Sequence, residues 1–124
     1  MSYDYRSYEY DKAKDYALRK SIAVACLVAV ISADLDAGTV NVQPLSKIQI
    51  DGVYESQPPL LNVPVLKHRD GNGNLVFPAY QAGDIGLVVF CDHDIDNIVI
   101  SRTESEPASS RIHSVDDAIF VGVI

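Results

Sequence analysis

The sequence predicts an all-β protein, a small barrel of five to six short strands preceded by an N-terminal helix or extended arm. Short apolar or alternating runs recur at close intervals through residues 21–124, and clusters of Gly, Asn, Asp and Pro separate them. The 124 residues suffice for one domain of ordinary size. Because closing a sheet removes its exposed edges, such short strands favour a closed or partly closed barrel.

Residues 1–20 are predicted to form a helix or arm ahead of the barrel domain at residues 21–124. The segment lacks Gly and Pro and ends in good helix formers, which favours a helix over residues 7–20. Tyrosine offers apolar area at low entropic cost and is enriched where partners dock. The candidate partner contacts are therefore Tyr3, Tyr5, Tyr8, Tyr10 and Tyr16, and a half-ordered tail is the alternative.

The first two strands are predicted to form a hairpin. The run Ile22–Ile31 is nearly all apolar, so we expect a strand that is buried for much of its length. Residues 33–39 contain the Asp and Gly residues of a turn, and the alternating run Val40–Leu45 returns from it.

Three more extended segments are predicted in the middle of the chain. Ser46–Ile50 ends at an Asp-Gly turn, and Leu61–Leu66 follows a connection that contains two prolines. Pro64 has no backbone N–H, so its segment belongs at a sheet edge or a bulge. Residues 70–74 are a turn cluster, and residues 75–78 are a short extended piece.

A second buried strand is predicted at Ile85–Cys91, after a turn at residues 81–84. The acidic corner Asp92–Asn97 follows it. The apolar run Ile98–Ile100 is then expected to continue as a strand, and residues 101–111 form a polar loop.

The last strand is predicted at Ile119–Val121, after a capped helical turn at residues 113–118. Ser114 is the expected N-cap of this turn, and Asp117 is the expected second member of a capping box. The complete set of strands fits an OB-like barrel. Periodicity by itself leaves an SH3-like barrel or a small sandwich open.

Charge and composition exclude several classes of protein. A hydrophobic content of 48% with 22% charged residues excludes a globally disordered chain. The formal net charge is −7, and beyond residue 20 five basic side chains stand against 13 acidic ones. Since binding to phosphates needs clustered Lys or Arg, we predict no nucleic-acid binding.

The most apolar stretch is about half of the roughly 20 residues that span a membrane, so no membrane span is predicted. The acidic residues before it are unlike a signal peptide, which indicates a protein made in the cytoplasm. Cys26 and Cys91 lie inside apolar runs and are expected to be buried, reduced thiols.

The acidic corner invites a calcium-loop interpretation, because carboxylates alternate at its start. The sixth position is Asn97 where Gly is needed, and the twelfth is Thr103 where Glu is needed, so a capped turn is favoured. The His and Cys residues show no zinc spacing. We predict no metal and no cofactor.

Catalysis is not predicted either. His113, Ser114 and Asp116 carry the side chains of a hydrolytic triad, but residues on one turn cannot converge on a substrate as that mechanism requires. The Gly71-Asn72-Gly73 run precedes no helix, so a hairpin tip is favoured over a phosphate loop. The chain is not expected to be an enzyme.

The ordered motifs between residues 40 and 119 resemble the N-terminal domain of phage membrane-piercing central-spike proteins. The most specific pieces are the acidic corner Asp92–Asn97 and the run Arg111–Ala118, and the resemblance covers residues 22–122. Its signature residues, all with structural roles, are Val42, Pro44, Val63, Pro64, Phe77, Pro78, Gly83, Asp84, Asp94, Asp96, Asn97, Arg111, His113, Ser114 and Asp117.

The resemblance implies an OB fold that forms a homotrimer in a contractile tail baseplate, above a needle driven through the host envelope. The expected partners are therefore further copies of the chain, the tail hub or tube proteins, and a separate needle or tip protein. The expected location is the virion. The alternative function is a monomeric OB-type module that binds oligosaccharide or single-stranded nucleic acid.

Overall fold

Five antiparallel strands form the main sheet, in the order β5-β2-β1-β8-β9, with two small hairpins beside it. The computed structural model describes residues 11–14 and 22–124. The strands are β1 (Ala25–Asp34), β2 (Thr39–Pro44), β3 (Ile48–Ile50), β4 (Val53–Glu55), β5 (Leu60–Pro64), β6 (His68–Arg69), β7 (Leu75–Val76), β8 (Ile85–Phe90) and β9 (Ala118–Val123). One α-helix, α1 (Asp96–Ser101), and a 3₁₀ turn (Val115–Asp117) lie between β8 and β9.

The sheet curls until its two edge strands meet. An isolated parallel bridge joins Val65, just after β5, to Phe120 in β9. The backbone N–H of Leu66 donates a hydrogen bond to the carbonyl oxygen of Phe120 at 3.0 Å. The predicted small all-β, OB-like fold is confirmed, and Pro64 lies in an edge strand of the sheet as expected.

A single layer of side chains fills the interior. Phe120 is fully buried, and the ring of Tyr80 meets it edge-on with 4.9 Å between centroids. The other members of the buried hydrophobic cluster are Val28, Val30, Val40, Val42, Val63, Val65, Val88 and Ala118. Valine dominates because β-branched side chains pack well on a pleated surface.

Gly86 makes the central packing possible. A Cβ atom at this position would meet the carbonyl oxygen of Gly122, and it would stand 2.5 Å from the Phe120 ring. The Phe120 ring therefore lies directly over the backbone of β8, and a side chain at position 86 would displace it.

The expected burial of β1 and β8 along most of their length is wrong. Side chains alternate between the two faces of a strand, and a sheet closed on itself encloses one of these faces. Val28 and Val88 are fully buried, whereas Leu27 is 44% and Ile85 is 42% exposed. The predicted turn at residues 33–39 is also shorter than expected, because β1 extends to Asp34.

The two small hairpins include two strands that are not among the predicted segments, β4 and β6. β3 pairs with β4. β6 pairs with β7 around residues 70–74, so the predicted turn is confirmed. At this tip the Asp70 carboxylate accepts backbone N–H groups from Asn72 and Asn74, each at 2.9 Å, and both bonds lower the pKa of Asp70.

The predicted strand at Ile98–Ile100 is wrong, because these residues belong to α1. The backbone N–H of Asp96 donates to the Asp94 carboxylate at 2.9 Å, which turns the chain away from an extended path. At the other end Arg102 adopts a left-handed conformation (φ 59°), and its N–H bonds the Ile98 carbonyl. These two local devices override the β-propensity of an Ile-Val-Ile run.

The helix predicted at residues 7–20 lies outside the described residues except for 11–14, which are helical. The five candidate tyrosines also lie outside them. Within the described parts of the chain, no helix has the length and apolar character needed to cross a membrane.

We predict that Gly86→Ala lowers the free energy of unfolding by about 1–3 kcal/mol, because the added methyl group overpacks the Phe120 contact. Urea denaturation measures the change. Gly71→Ala is the matched control, since nothing lies within 4 Å of the Cβ it would add, and it should stay within about 0.5 kcal/mol of the parent. Equal effects of the two substitutions would contradict the proposed packing.

Candidate functional site

Arg111 binds three carboxylates that come from two separate parts of the chain. Its Nη2 atom lies 2.8 Å from Oδ1 of Asp117 and 3.2 Å from the nearest oxygens of Asp94 and Asp96. Its Nε atom donates to the second Asp117 oxygen at 2.9 Å, so the pair with Asp117 is bidentate. We call these four residues the Arg111 cluster.

The buried carboxylates of the Arg111 cluster have further hydrogen-bond donors. Asp94 accepts from the Ser109 hydroxyl at 2.7 Å, in addition to the Asp96 N–H. Asp117 accepts from the backbone N–H of Ile95 at 3.1 Å. Their side chains are 1% and 0% exposed, so these bonds compensate for their loss of water.

Hydrogen bonding determines the ionisation of the cluster. The Arg111 guanidinium is the main cause of the lowered pKa of Asp117. The Ser109 hydroxyl and the Asp96 N–H are the main causes of the lowered pKa of Asp94. The hydrogen bonds to Asp117 raise the pKa of Arg111 above its ordinary value. Asp94, Asp117 and Arg111 are therefore ionised at neutral pH.

The Asp94, Asp96 and Asp117 carboxylates could supply three metal ligands, since oxygens from all three lie within 4.8 Å of one another. Arg111 already pairs with all three of them, and its guanidinium offsets one of their three negative charges. We therefore describe the cluster as a clamp that joins the segment after β8 to the segment before β9. The predicted capped turn is confirmed by the Asp96 to Asp94 bond.

The capping box predicted at Ser114 is half right. The Ser114 hydroxyl accepts from the backbone N–H of Asp116 at 3.2 Å, as an N-cap does. Asp117 does not complete the box, because both of its oxygens face Arg111. His113, also proposed for the rejected triad, has its Nδ1 atom 3.7 Å from Asp92.

The other signature residues lie elsewhere in the barrel. Val42, Pro44 and Val63 are buried, while Pro64, Phe77 and Pro78 are half-buried. Gly83 adopts φ 94° in the turn before β8, where the Asp84 carboxylate accepts the backbone N–H of Gln81. The Asn97 amide donates to the Glu106 carbonyl.

Sequence reasoning selected the residues of the clamp but missed their pairing. Asp94, Asp96, Arg111 and Asp117 all belong to the two most specific pieces of the resemblance, yet spacing along the chain does not show which side chains meet. The contribution of Ser109 was missed completely, because a serine in a polar loop carries no distinguishing signal.

A continuous apolar surface covers the outside of three neighbouring strands. The strand pairing places Leu27 beside Leu87, Ala29 beside Ile85, and Val89 between Ala25 and Ile119. Leu27, Ile31, Ile85 and Val121 are each 40–47% exposed. We define the outer apolar face as nine outward residues of β1, β8 and β9, namely Ala25, Leu27, Ala29, Ile31, Ile85, Leu87, Val89, Ile119 and Val121; it ends at the exposed Ser32 and Asp34 of β1.

None of the nine residues of the outer apolar face is charged or polar. A sheet exposed to water on one side ordinarily alternates apolar and polar residues, because the outward positions gain nothing from being apolar. Large contiguous apolar patches on proteins mark surfaces that contact another molecule. This face is therefore the part of the described chain best suited to binding a partner.

Fold and surface together define a small OB-like barrel domain with a polar clamp and an apolar exterior that is exposed in the described part of the chain. Residues 27–122 match the family described as phage protein Gp138 N-terminal domain, and the chain belongs to this family. It is thus a phage protein, and the family supports a structural role. No curated protein matches the chain.

We predict that Asp117→Asn lowers the free energy of unfolding by about 1–3 kcal/mol, because it weakens charge-assisted hydrogen bonds to a buried group. Urea denaturation at neutral pH measures the change. Asp116→Asn is the matched control, since the Asp116 side chain is exposed. A loss of equal size in the control would show that the Arg111 cluster does not stabilise the fold.

The lowered pKa values of Asp94 and Asp117 predict the acid stability of the chain. Their ionised forms stabilise the fold above the pKa of an unfolded Asp, about 4, and this stabilisation is lost as pH falls through the lower folded values. Urea denaturation between pH 6 and about 2 should show stability falling below pH 4. The fall should be shallower in Asp117→Asn, and an identical pH profile would contradict this assignment.

Proposed function

We propose that this chain is a structural virion protein of a contractile phage tail baseplate, the OB-fold collar of its central spike. In this role it forms a homotrimer that links the tail hub or tube to the needle or tip used in host envelope penetration. The single observation that carries the proposal is the outer apolar face, which is exposed to solvent in the described part of a single chain.

Self-association explains the composition of the outer apolar face. Identical copies around a threefold axis can cover one another's exposed strands, and obligate interfaces of this kind resemble a protein core. The family match supports the phage context of such an assembly. Net charge opposes the assembly, because copies that each carry −7 repel one another, so apolar burial has to offset this repulsion.

The mechanism is mechanical and needs no bond-making chemistry, so we propose no enzymatic activity. A collar transmits force and must hold its shape. The Arg111 cluster supports this role. It joins Asp94, which precedes α1, to Arg111 and Asp117, which follow the loop after α1. The tyrosines of residues 1–20 are proposed to contact the hub or tube.

The alternative, a monomeric OB-type module for glycans or single strands, needs exposed aromatic rings as stacking platforms. In the described part of the chain, Tyr54 is the one aromatic side chain with most of its surface exposed. It lies on β4, outside the five-stranded sheet. The barrel surface therefore favours protein contacts over this alternative.

Multi-angle light scattering tests the proposal. We expect the chain at micromolar concentration to have about three times its 13.5 kDa mass. The double substitution Leu27→Glu/Ile85→Glu should produce a monomer, because six carboxylates would then have to be buried in each trimer.

Ile100→Glu is the control for these substitutions. Ile100 is 82% exposed on α1 and is not part of the outer apolar face, so the trimer mass should be retained. A monomeric wild-type chain would contradict the collar proposal, and a trimer that survives the double substitution would show that a different face forms the interface.

A further inference from the structure

A second surface, at one end of the barrel, combines cations with an apolar floor. Residues 22–124 contain five Lys and Arg side chains. Arg111 is used in its cluster, and Lys47 precedes β3. Lys67 and Arg102 line a single cavity of about 560 Å³, and Arg69 is paired across β6 and β7 with Leu75, which also lines it. We call this cavity the cationic groove.

The two cations of the cationic groove are available to a ligand. Lys67 and Arg102 are both exposed, and within residues 22–124 neither forms a salt bridge. The Lys67 ammonium lies 5.9 Å from the centre of the Phe77 ring, which holds it near the cavity. No described residue that lines the groove is acidic.

Asp36 directly precedes the lining residue Ala37 and is exposed, whereas Asp34 and Asp70 are held by their own turns. Asp34 accepts backbone N–H groups from Asp36 and Ala37 at 3.1 Å, and Asp70 accepts two such groups at the β6–β7 tip. A second cavity shares Val99, Arg102 and Ile119 with the groove, and Asp92, Asp94 and Glu104 also line it. Of these two cavities, the one with Lys67 has no acidic lining residue, on a chain that is otherwise strongly acidic.

Aliphatic side chains form the floor of the groove. Leu66 and Leu75 are 51% and 57% exposed, and Val99 and Ile119 line the same cavity. No aromatic ring is among the described lining residues, so bases of a nucleic acid would find no stacking platform. A groove with this lining suits carboxylates that flank an aliphatic side chain.

We propose that the cationic groove binds an acidic peptide segment of a neighbouring tail protein, with carboxylates on Lys67 and Arg102 and an aliphatic side chain on Val99 and Ile119. The identity of the partner as a tail protein rests on the proposed function. The binding chemistry does not depend on the proposed function, because the groove shares Ile119 alone with the outer apolar face.

Fluorescence anisotropy with three labelled peptides of equal length tests this proposal on the full chain. One peptide alternates Asp and Leu, the second alternates Lys and Leu, and the third alternates Asp and Ser. We expect the Asp-Leu peptide to bind at least tenfold more tightly than the other two, and its affinity to fall with added salt.

Charge reversal locates the binding site. The double variant Lys67→Glu/Arg102→Glu should bind the Asp-Leu peptide at least tenfold more weakly than the parent. Arg102→Glu alone is a milder change and should weaken binding by a smaller factor. Lys47→Glu is the control with the same charge change outside the groove, and it should bind as the parent does. Circular dichroism verifies that each variant is folded.

Four results would overturn the proposal. The first is that the Asp-Leu peptide binds no more tightly than the Asp-Ser peptide. The second is that it binds the double variant as tightly as it binds the parent chain. A single-stranded oligonucleotide could compete with it at the same concentration. Finally, loss of the trimer mass in the double variant would show that a second copy occupies the groove. Failure of the collar proposal appears instead as a monomeric wild type that still binds the peptide.

Discussion

Side chains alternate along β1, β8 and β9, and the closed sheet offers them a single interior. Val28, Val88 and Phe120 fill that interior, and Gly86 leaves room for the Phe120 ring. The residues between them must point outward, although they are equally apolar. The same rule therefore builds the core and creates the outer apolar face. A register shift of one residue would exchange the two, so the interior and the exterior depend on one strand alignment.

The Arg111 cluster fixes the positions of the chain segments between β8 and β9. Asp94 and Asp96 stand at the start of α1, while Asp117 ends the 3₁₀ turn before β9. Pairing all three with one guanidinium determines where α1 lies relative to β9, and α1 carries Val99 and Arg102 into the cationic groove. The clamp thus connects the most specific part of the sequence to a surface that can meet a partner. This is a physical reason for a buried ion network in a chain with so small a core.

Much of the fold could be predicted from the sequence, because turns and alternation are local. The hairpin of β1 and β2, the β6–β7 tip and the final strand all follow from Gly, Asp and Asn turns between apolar runs. Three features could not be predicted. Burial of β1 was overestimated, because the sequence of one strand does not show whether one face or both faces of its sheet are covered. Ile98–Ile100 form a helix because the hydrogen bond that Asp94 accepts from the Asp96 N–H and a left-handed Arg102 outweigh β-propensity. The partners of Arg111 depend on the folded chain path.

A crystal structure of the full chain tests most directly whether the apolar exterior is a consequence of assembly. It should contain three copies around a threefold axis, with Leu27, Ile85 and Val121 buried between them. A structure in which these three side chains face solvent, either in a monomer or in an assembly held by another surface, would contradict it.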